Sequence, residues 1–236
     1  MTLPRRSALG AGTLLALAVA ACSDEGSKGA GSGSSSSTPS TPSTRSSTSG
    51  RTPTTSSSAD PTVDVTASPD PAQPADARDA GLADVDGGAE AISLAIPAVG
   101  LRTPLEAQGL RGGVVNPRPG QVIWFTGYER VRPGATGTSV LAGHVVSGGA
   151  PDRFAALEQL EVGDGVVVGY PSGTEVRFEV TSTDVVDKQD LTSEPSVWGR
   201  NDDTRRIVLI TCDDRLGFRE DGHRTANFVA VAELPS

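Results

Sequence analysis

Cysteine is almost absent from this chain: there are two in 236 residues, Cys22 and Cys212. Two cysteines cannot build the multi-bridge framework of a small secreted domain. Cys22 lies inside what reads as an export signal, so Cys212 is expected not to be half of a structural disulfide. Histidine is equally scarce, with only His144 and His223. One cysteine and two separated histidines match no recognised ligand spacing, which argues against a metal site, and no cofactor is implied. Positive charge is in deficit, 20 Lys and Arg against 29 Asp and Glu for a net charge of -9, so there is no basic surface for nucleic acid. No block of like charges marks an interaction tail. The N-terminal apolar run, Ala8 to Ala21, is too short for a transmembrane span, and no internal repeat is visible.

What is present divides the chain into three. Arg5 and Arg6 precede that apolar run, which closes on Val19-Ala20-Ala21-Cys22 ahead of abruptly polar sequence. This is the pattern of a signal peptide over residues 1–22 ending in a lipobox, at which Cys22 becomes a diacylglycerol-modified N-terminus. The arginine pair fits general secretion and twin-arginine export alike. Lipid on Cys22 would hold the protein to the outer face of the cell membrane, stably if two or more acyl chains are attached. Residues 23–88 are Ser, Thr, Pro, Gly, Ala and Asp with almost no large apolar side chains. Such a segment buries too little surface to offset its conformational entropy and is expected to be a disordered tether. As a flexible coil of roughly 65 residues it would span on the order of 45 Å.

Residues 89–236 are expected to be the folded part, one domain by size. Apolar, β-rich runs alternate there with turn residues: Ala91 to Ile96, Gln121 to Phe125, Thr138 to Gly143, Gly165 to Tyr170, Glu175 to Val180, Arg206 to Thr211 and Phe228 to Leu234. Short strands at this spacing predict an all-β barrel or sandwich. Asp152 to Leu160 breaks the pattern. Its apolar residues Phe154, Leu157 and Leu160 predict a short helix laid on the barrel, with Asp152 as its cap.

Cys212 ends the most apolar of these runs. By default it is a buried small hydrophobe. Its alternative is a nucleophile, which requires a thiolate and hence a nearby cation, helix N-terminus or metal. His144 ends another strand, so thiol and imidazole could share one rim. A histidine beside glycine in a loop is by default a surface residue, and His223, in the turn Glu220-Asp221-Gly222-His223, is expected to be solvent-exposed. An oxyanion donor would complete acyl-transfer chemistry, and Arg215, Arg219 and Arg224 lie in the loop after Cys212 or at its end.

These residues resemble the sortases, cysteine transpeptidases of the Gram-positive cell surface. Val208-Leu209-Ile210-Thr211-Cys212 resembles the Thr-Leu-x-Thr-Cys signature, Leu141-Ala142-Gly143-His144 the histidine motif, and Phe228-Val229-Ala230-Val231-Ala232 the closing strand after the family's arginine. Trp124-Phe125 and Phe154-x-x-Leu157-x-x-Leu160-x-x-Gly163-Asp164 are most similar to class F. The resemblance implies a closed eight-stranded β-barrel with one or two short helices and a catalytic set of Cys212, His144 and Arg224. Ungapped alignment puts Thr225 at the arginine position; a one-residue shift or bulge before the last strand brings Arg224 there, with Arg219 the second choice.

The implied reaction is cleavage of a Leu-Pro-x-Thr-Gly-like sorting signal through a thioester acyl-enzyme, resolved by an amine or by water. The implied partners are secreted proteins with C-terminal sorting signals, an amine acceptor such as a cell-wall precursor, and the membrane through the N-terminal lipid. An L,D-transpeptidase would carry histidine and glycine just before its cysteine, and Leu209-Ile210-Thr211 offers neither. The alternative from another class is a non-catalytic envelope lipoprotein binding peptide or wall polymer, with Cys212 merely packed.

Overall fold

The computed structural model describes residues 72–236. The expected signal peptide, the lipidation site Cys22 and the tether as far as residue 71 lie outside the described residues. The chain first forms a helix, α1 (Ala75–Asp86), and then ten strands: β1 (Ser93–Ile96), β2 (Leu101–Gln108), β3 (Val122–Phe125), β4 (Gly137–Gly143), β5 (Val146–Ser147), β6 (Ala150–Pro151), β7 (Gly165–Gly169), β8 (Glu175–Asp187), β9 (Arg205–Phe218) and β10 (Arg224–Glu233). Two one-turn helices, α2 (Lys188–Leu191) and α3 (Pro195–Trp198), lie between β8 and β9.

Eight strands close a barrel in the order β1-β2-β3-β4-β9-β10-β8-β7, with β7 pairing back to β1, as expected. Strands β2 and β3, and β4 and β9, run parallel; the other pairs are antiparallel. The hairpin β5-β6 forms a separate two-stranded sheet.

The apolar runs Val140–Ala142 of β4 and Ile207–Ile210 of β9 follow from burial on both faces. Leu141, Ile207 and Leu209 pack with Leu94, Val166, Phe178 and Phe228 in one core. Their neighbours Val140, Ala142, Val208 and Ile210 pack in a second, against Phe125, Leu191 of α2 and Val197 of α3. Each such aliphatic side chain contributes about 1.5–3 kcal/mol when fully buried. Arg130 fixes α3 over that second core, donating to the carbonyls of Val197 (2.7 Å) and Gly199 (2.8 Å).

Three expectations need correction. The first is β2, which was not among the expected strands: Pro104 masks it, since proline lacks the N–H a strand donates, and only Thr103 and Leu105 of the strand are buried. The second is the segment from Asp152 to Leu160, which is a turn followed by a single 3₁₀ turn, Leu157–Gln159. Three-residue spacing is the 3₁₀ period, and Phe154, Leu157 and Leu160 are all buried. Asp152 does not cap it; its carboxylate accepts from the amides of Gly120 and Arg153.

The third correction concerns the end of the tether. Within the expected disordered stretch to residue 88, residues 75–86 are the helix α1, packed on the barrel. Gly81 lies against β8, where a Cβ would sit 2.5 Å from the Glu175 carbonyl oxygen. Val85 is buried and its carbonyl accepts from Arg132 across 2.7 Å. Asp84 accepts from Ser172 and Thr174, and Asp86 pairs with Arg205 at 2.9 Å. With only Leu82 and Val85 as large apolar residues, the helix has little signal of its own; its stability comes from docking.

Candidate active site

The parallel pairing of β4 with β9 ends at Ala142 opposite Ile210. Carried two residues further, that register sets His144 level with Cys212. Between them Thr211 Oγ1 donates to the Gly143 carbonyl across 2.8 Å, tying the two strand ends together. His144 and Cys212 thus follow the paired ends of neighbouring strands. Neither is on the surface: Cys212 is 1% and His144 4% exposed.

Cys212 is disulfide-bonded in the structure. This corrects the expectation that Cys212 stands apart from any disulfide.

The imidazole of His144 is held by the main chain. Its Nε2 lies 2.9 Å from the Pro117 carbonyl oxygen. A carbonyl only accepts, so Nε2 carries the hydrogen and Nδ1 is the nitrogen left for other chemistry. Nδ1 is buried and has no hydrogen-bond partner among the described residues. Gly143 makes room beside it, because a Cβ there would lie 2.8 Å from the Phe154 ring.

Asn227 was missed by sequence reasoning. It pairs opposite Cys212 on β10, is fully buried, and donates through Nδ2 to the Thr211 carbonyl at 2.9 Å while lying 4.0 Å from Cys212 Sγ. Its Oδ1 is buried without a partner among the described residues. One signal was available: a lone amide at the head of the apolar run Phe228 to Leu234.

The three candidate arginines occupy different situations. Arg215 is committed elsewhere, bidentate on Asp213 (2.6 and 2.9 Å) and 5.5 Å above the Phe228 ring. Burial would raise the Asp213 carboxyl, but the Arg215 hydrogen bonds outweigh it and hold the carboxyl below the usual range. Arg219 is exposed in the β9-β10 hairpin. Arg224 is half-buried, 3.6 Å from Asp214, with its Nε buried and without an acceptor among the described residues. The β9-β10 register shifts within β10, between Arg224, which pairs with Phe218, and Ala226, which pairs with Asp213. His223, expected to be exposed, is half-buried near the hairpin tip, where its carbonyl accepts from Arg219 N at 2.7 Å.

Lys188 adds a further cation. It follows the rung Asp187–Ala226–Asp213, next to the rung Val186–Asn227–Cys212. Burial, then the charge of Arg219, pushes its amine down to about 8, with Arg224 acting in the same direction. Arg219 and Arg224 thus both act on Lys188 at the end of the sheet that carries Cys212.

The family model for the Sortase domain matches residues 94–235. No curated protein sequence gives a significant match. Similar solved structures include a lid mutant of sortase A from Corynebacterium diphtheriae, 20% identical over 61% of this chain and 69% of that one, with a TM-score of 0.47. Sortase A from Listeria monocytogenes is 23% identical over 62% and 88%, with a TM-score of 0.41. Sortase E1 from Streptomyces coelicolor, with a tripeptide in the active site, is 21% identical over 62% and 89%, with a TM-score of 0.45.

Proposed function

Because the chain belongs to the sortase family of cysteine transpeptidases, we propose that it cleaves a Leu-Pro-x-Thr-Gly-like sorting signal with Cys212, His144 and Arg224 as its catalytic residues. The observation that carries this reading is the β4-β9 register, which sets an imidazole level with a sulfur remote from it in sequence.

In this reading the reduced sulfur acts as thiolate, its charge favoured by the cations at the head of β10. It attacks the carbonyl carbon of the Thr–Gly bond, and the electron pair moves to the oxygen. Arg224, whose buried Nε has no acceptor among the described residues, receives that oxyanion. Collapse of the intermediate breaks the C–N bond, and the His144 imidazolium gives the Nδ1 proton to the departing glycine amine. The thioester is then resolved by the amine of a cell-wall precursor or another protein, or by water. The proton of that nucleophile returns to His144, and the sulfur leaves as thiolate.

The disulfide must be open for this chemistry. The only other cysteine is Cys22, and lipoprotein processing would place a diacylglycerol thioether on its sulfur, leaving no thiol to pair. Maturation would thus leave Cys212 reduced. We assign the protein to the class F type, exported and held by lipid to the outer face of a Gram-positive cell membrane.

The test uses reduced protein, a Leu-Pro-x-Thr-Gly peptide and mass spectrometry. A thioester adduct is expected with the wild type and none with Cys212→Ala; an adduct that survives the substitution rejects the assignment. Arg224→Ala is expected to suppress the adduct and Arg219→Ala to leave most of it, and the reverse order moves the role to Arg219. Reaction of folded, reduced Cys212 with a soluble alkylating reagent separates the enzyme from a non-catalytic lipoprotein, in which the thiol would stay protected until denaturation.

A further inference from the structure

His144 owes its orientation to a main-chain carbonyl, and the segment from Asp152 to Phe154 is bonded to both sides of that contact. Its main chain fastens the histidine: Asp152 N donates to the Val145 carbonyl (2.8 Å) and Phe154 N to the His144 carbonyl (2.9 Å). Its side chains fasten the loop that carries Pro117. The Asp152 carboxylate accepts from Gly120 N, 3.0 Å to each oxygen, and Arg153 Nε donates to the Gly120 carbonyl across 3.1 Å. Arg153 N, 2.7 Å from Asp152 Oδ1, keeps the carboxylate turned to this task. On the other side of Pro117 the loop is held by Gln108 Nε2 on the Asn116 carbonyl (3.0 Å) and by buried Val115.

We infer that Asp152 and Arg153 are positioning residues for His144: bracketing Gly120 to the His144–Val145 main chain, they hold the Pro117 carbonyl on Nε2 and leave Nδ1 for proton transfer. The inference rests on the catalytic role proposed above for His144. The physical need is specific. A ring with one nitrogen bonded to a fixed acceptor has one orientation, whereas a ring whose acceptor can withdraw rotates about χ2 and spends part of its time with Nδ1 turned away. Neither Asp152 nor Arg153 needs to touch the peptide, so their loss should appear in turnover and not in binding.

The experiment compares reduced wild type with Asp152→Ala, Asp152→Asn and Cys212→Ala. In ¹⁵N-edited spectra the wild type should show a slowly exchanging proton on His144 Nε2, and Asp152→Ala should lose that protection by tenfold or more. Acyl-enzyme formation by Asp152→Ala should show kcat down roughly 10–100-fold with KM within about twofold, the scale expected for a misplaced catalytic group. Asp152→Asn keeps an Oδ1 acceptor for Gly120 N and should recover most of both signals. Should Asp152→Ala fail to fold, Arg153→Ala removes only the bond to the Gly120 carbonyl and carries the same test. If the variants keep wild-type Nε2 protection and kcat while Cys212→Ala is inactive, the positioning inference falls alone. If Cys212→Ala still forms the adduct, the catalytic reading itself has failed.

Discussion

Thr211 and Gly143 are joined across the parallel strands β9 and β4 by a buried hydrogen bond of 2.8 Å, one residue before each of the two proposed catalytic side chains. This bond keeps the strand ends in register after the ladder stops at Ala142–Ile210. Thr211→Val keeps the shape and removes the donor. Loss of a buried hydrogen bond of this kind costs about 1–3 kcal/mol. The thermal midpoint should fall by several degrees, and thioester formation should slow although Cys212 and His144 are intact. Unchanged stability and unchanged acylation would show that the register holds without the bond.

Gly143 is required for a steric reason. A Cβ there would lie 2.8 and 2.9 Å from ring atoms of Phe154, so Gly143→Ala must displace a ring that is 1% exposed and part of the barrel core. Overpacking of this kind costs about 1–3 kcal/mol. Because Phe154 N also bonds the His144 carbonyl at 2.9 Å, the displacement should reach the imidazole and lower acylation. Phe154→Leu, added to Gly143→Ala, should restore part of the lost melting temperature. A double variant less stable than the two single losses added together would refute the clash.

The sequence made some of this legible, for reasons that differ by element. Strands β4 and β9 could be read because burial on both faces demands unbroken apolar runs, and the two motifs at their ends could be read as chemistry. Strand β2 could not, because Pro104 and a polar outer face erase its alternation. Helix α1 is marginal without the β8 surface it rests on, so its composition reads as tether. The Pro117 carbonyl has no signature at all, since every residue carries a carbonyl and only the fold decides which one meets Nε2. Among the arginines, sequence order left three candidates. Separating them took the Asp213 carboxylate that engages Arg215, the exposure of Arg219 and the partial burial of Arg224.

Lys188 should give the protein an alkaline gain in stability. Its amine falls from 10.5 to about 8 on folding, through burial and the charge of Arg219, with a further push from Arg224. Between those pH values the unfolded chain binds a proton that the folded one does not, so stability rises with pH across this window. Below about 8 the penalty is fully present, on the order of 3 kcal/mol. Lys188→Met lacks the titration. The difference in unfolding free energy between wild type and Lys188→Met, measured from pH 7 to 10.5, should favour the variant at pH 7 and shrink as pH rises. Parallel curves would show that the amine is not perturbed.

The folded unit should begin ahead of residue 75 and not near residue 89, because α1 is fastened to the barrel along its length. Gln73 donates to the Glu175 carbonyl at 2.6 Å and accepts from Arg177 N at 3.0 Å, Gly81 lies on β8, and Asp86 holds Arg205. Limited proteolysis should therefore leave a core whose N-terminus precedes Ala75. Gly81→Val places methyl groups where the Glu175 carbonyl and Val176 already sit, 2.5 and 2.7 Å from a Cβ, and the helix must lift. Lifting uncovers Val85 and the Arg132 bond to its carbonyl, and new cleavage sites should open within residues 75–88. Asp86 meets β9 only at Arg205, the first residue of that strand and seven residues before Cys212, so acylation by Cys212 in the variant should stay within about threefold of wild type as long as the barrel is folded. A Gly81→Val protein cut at the same places as wild type would mean that the helix tolerates the added side chain and that its docking is looser than the Glu175 contact implies.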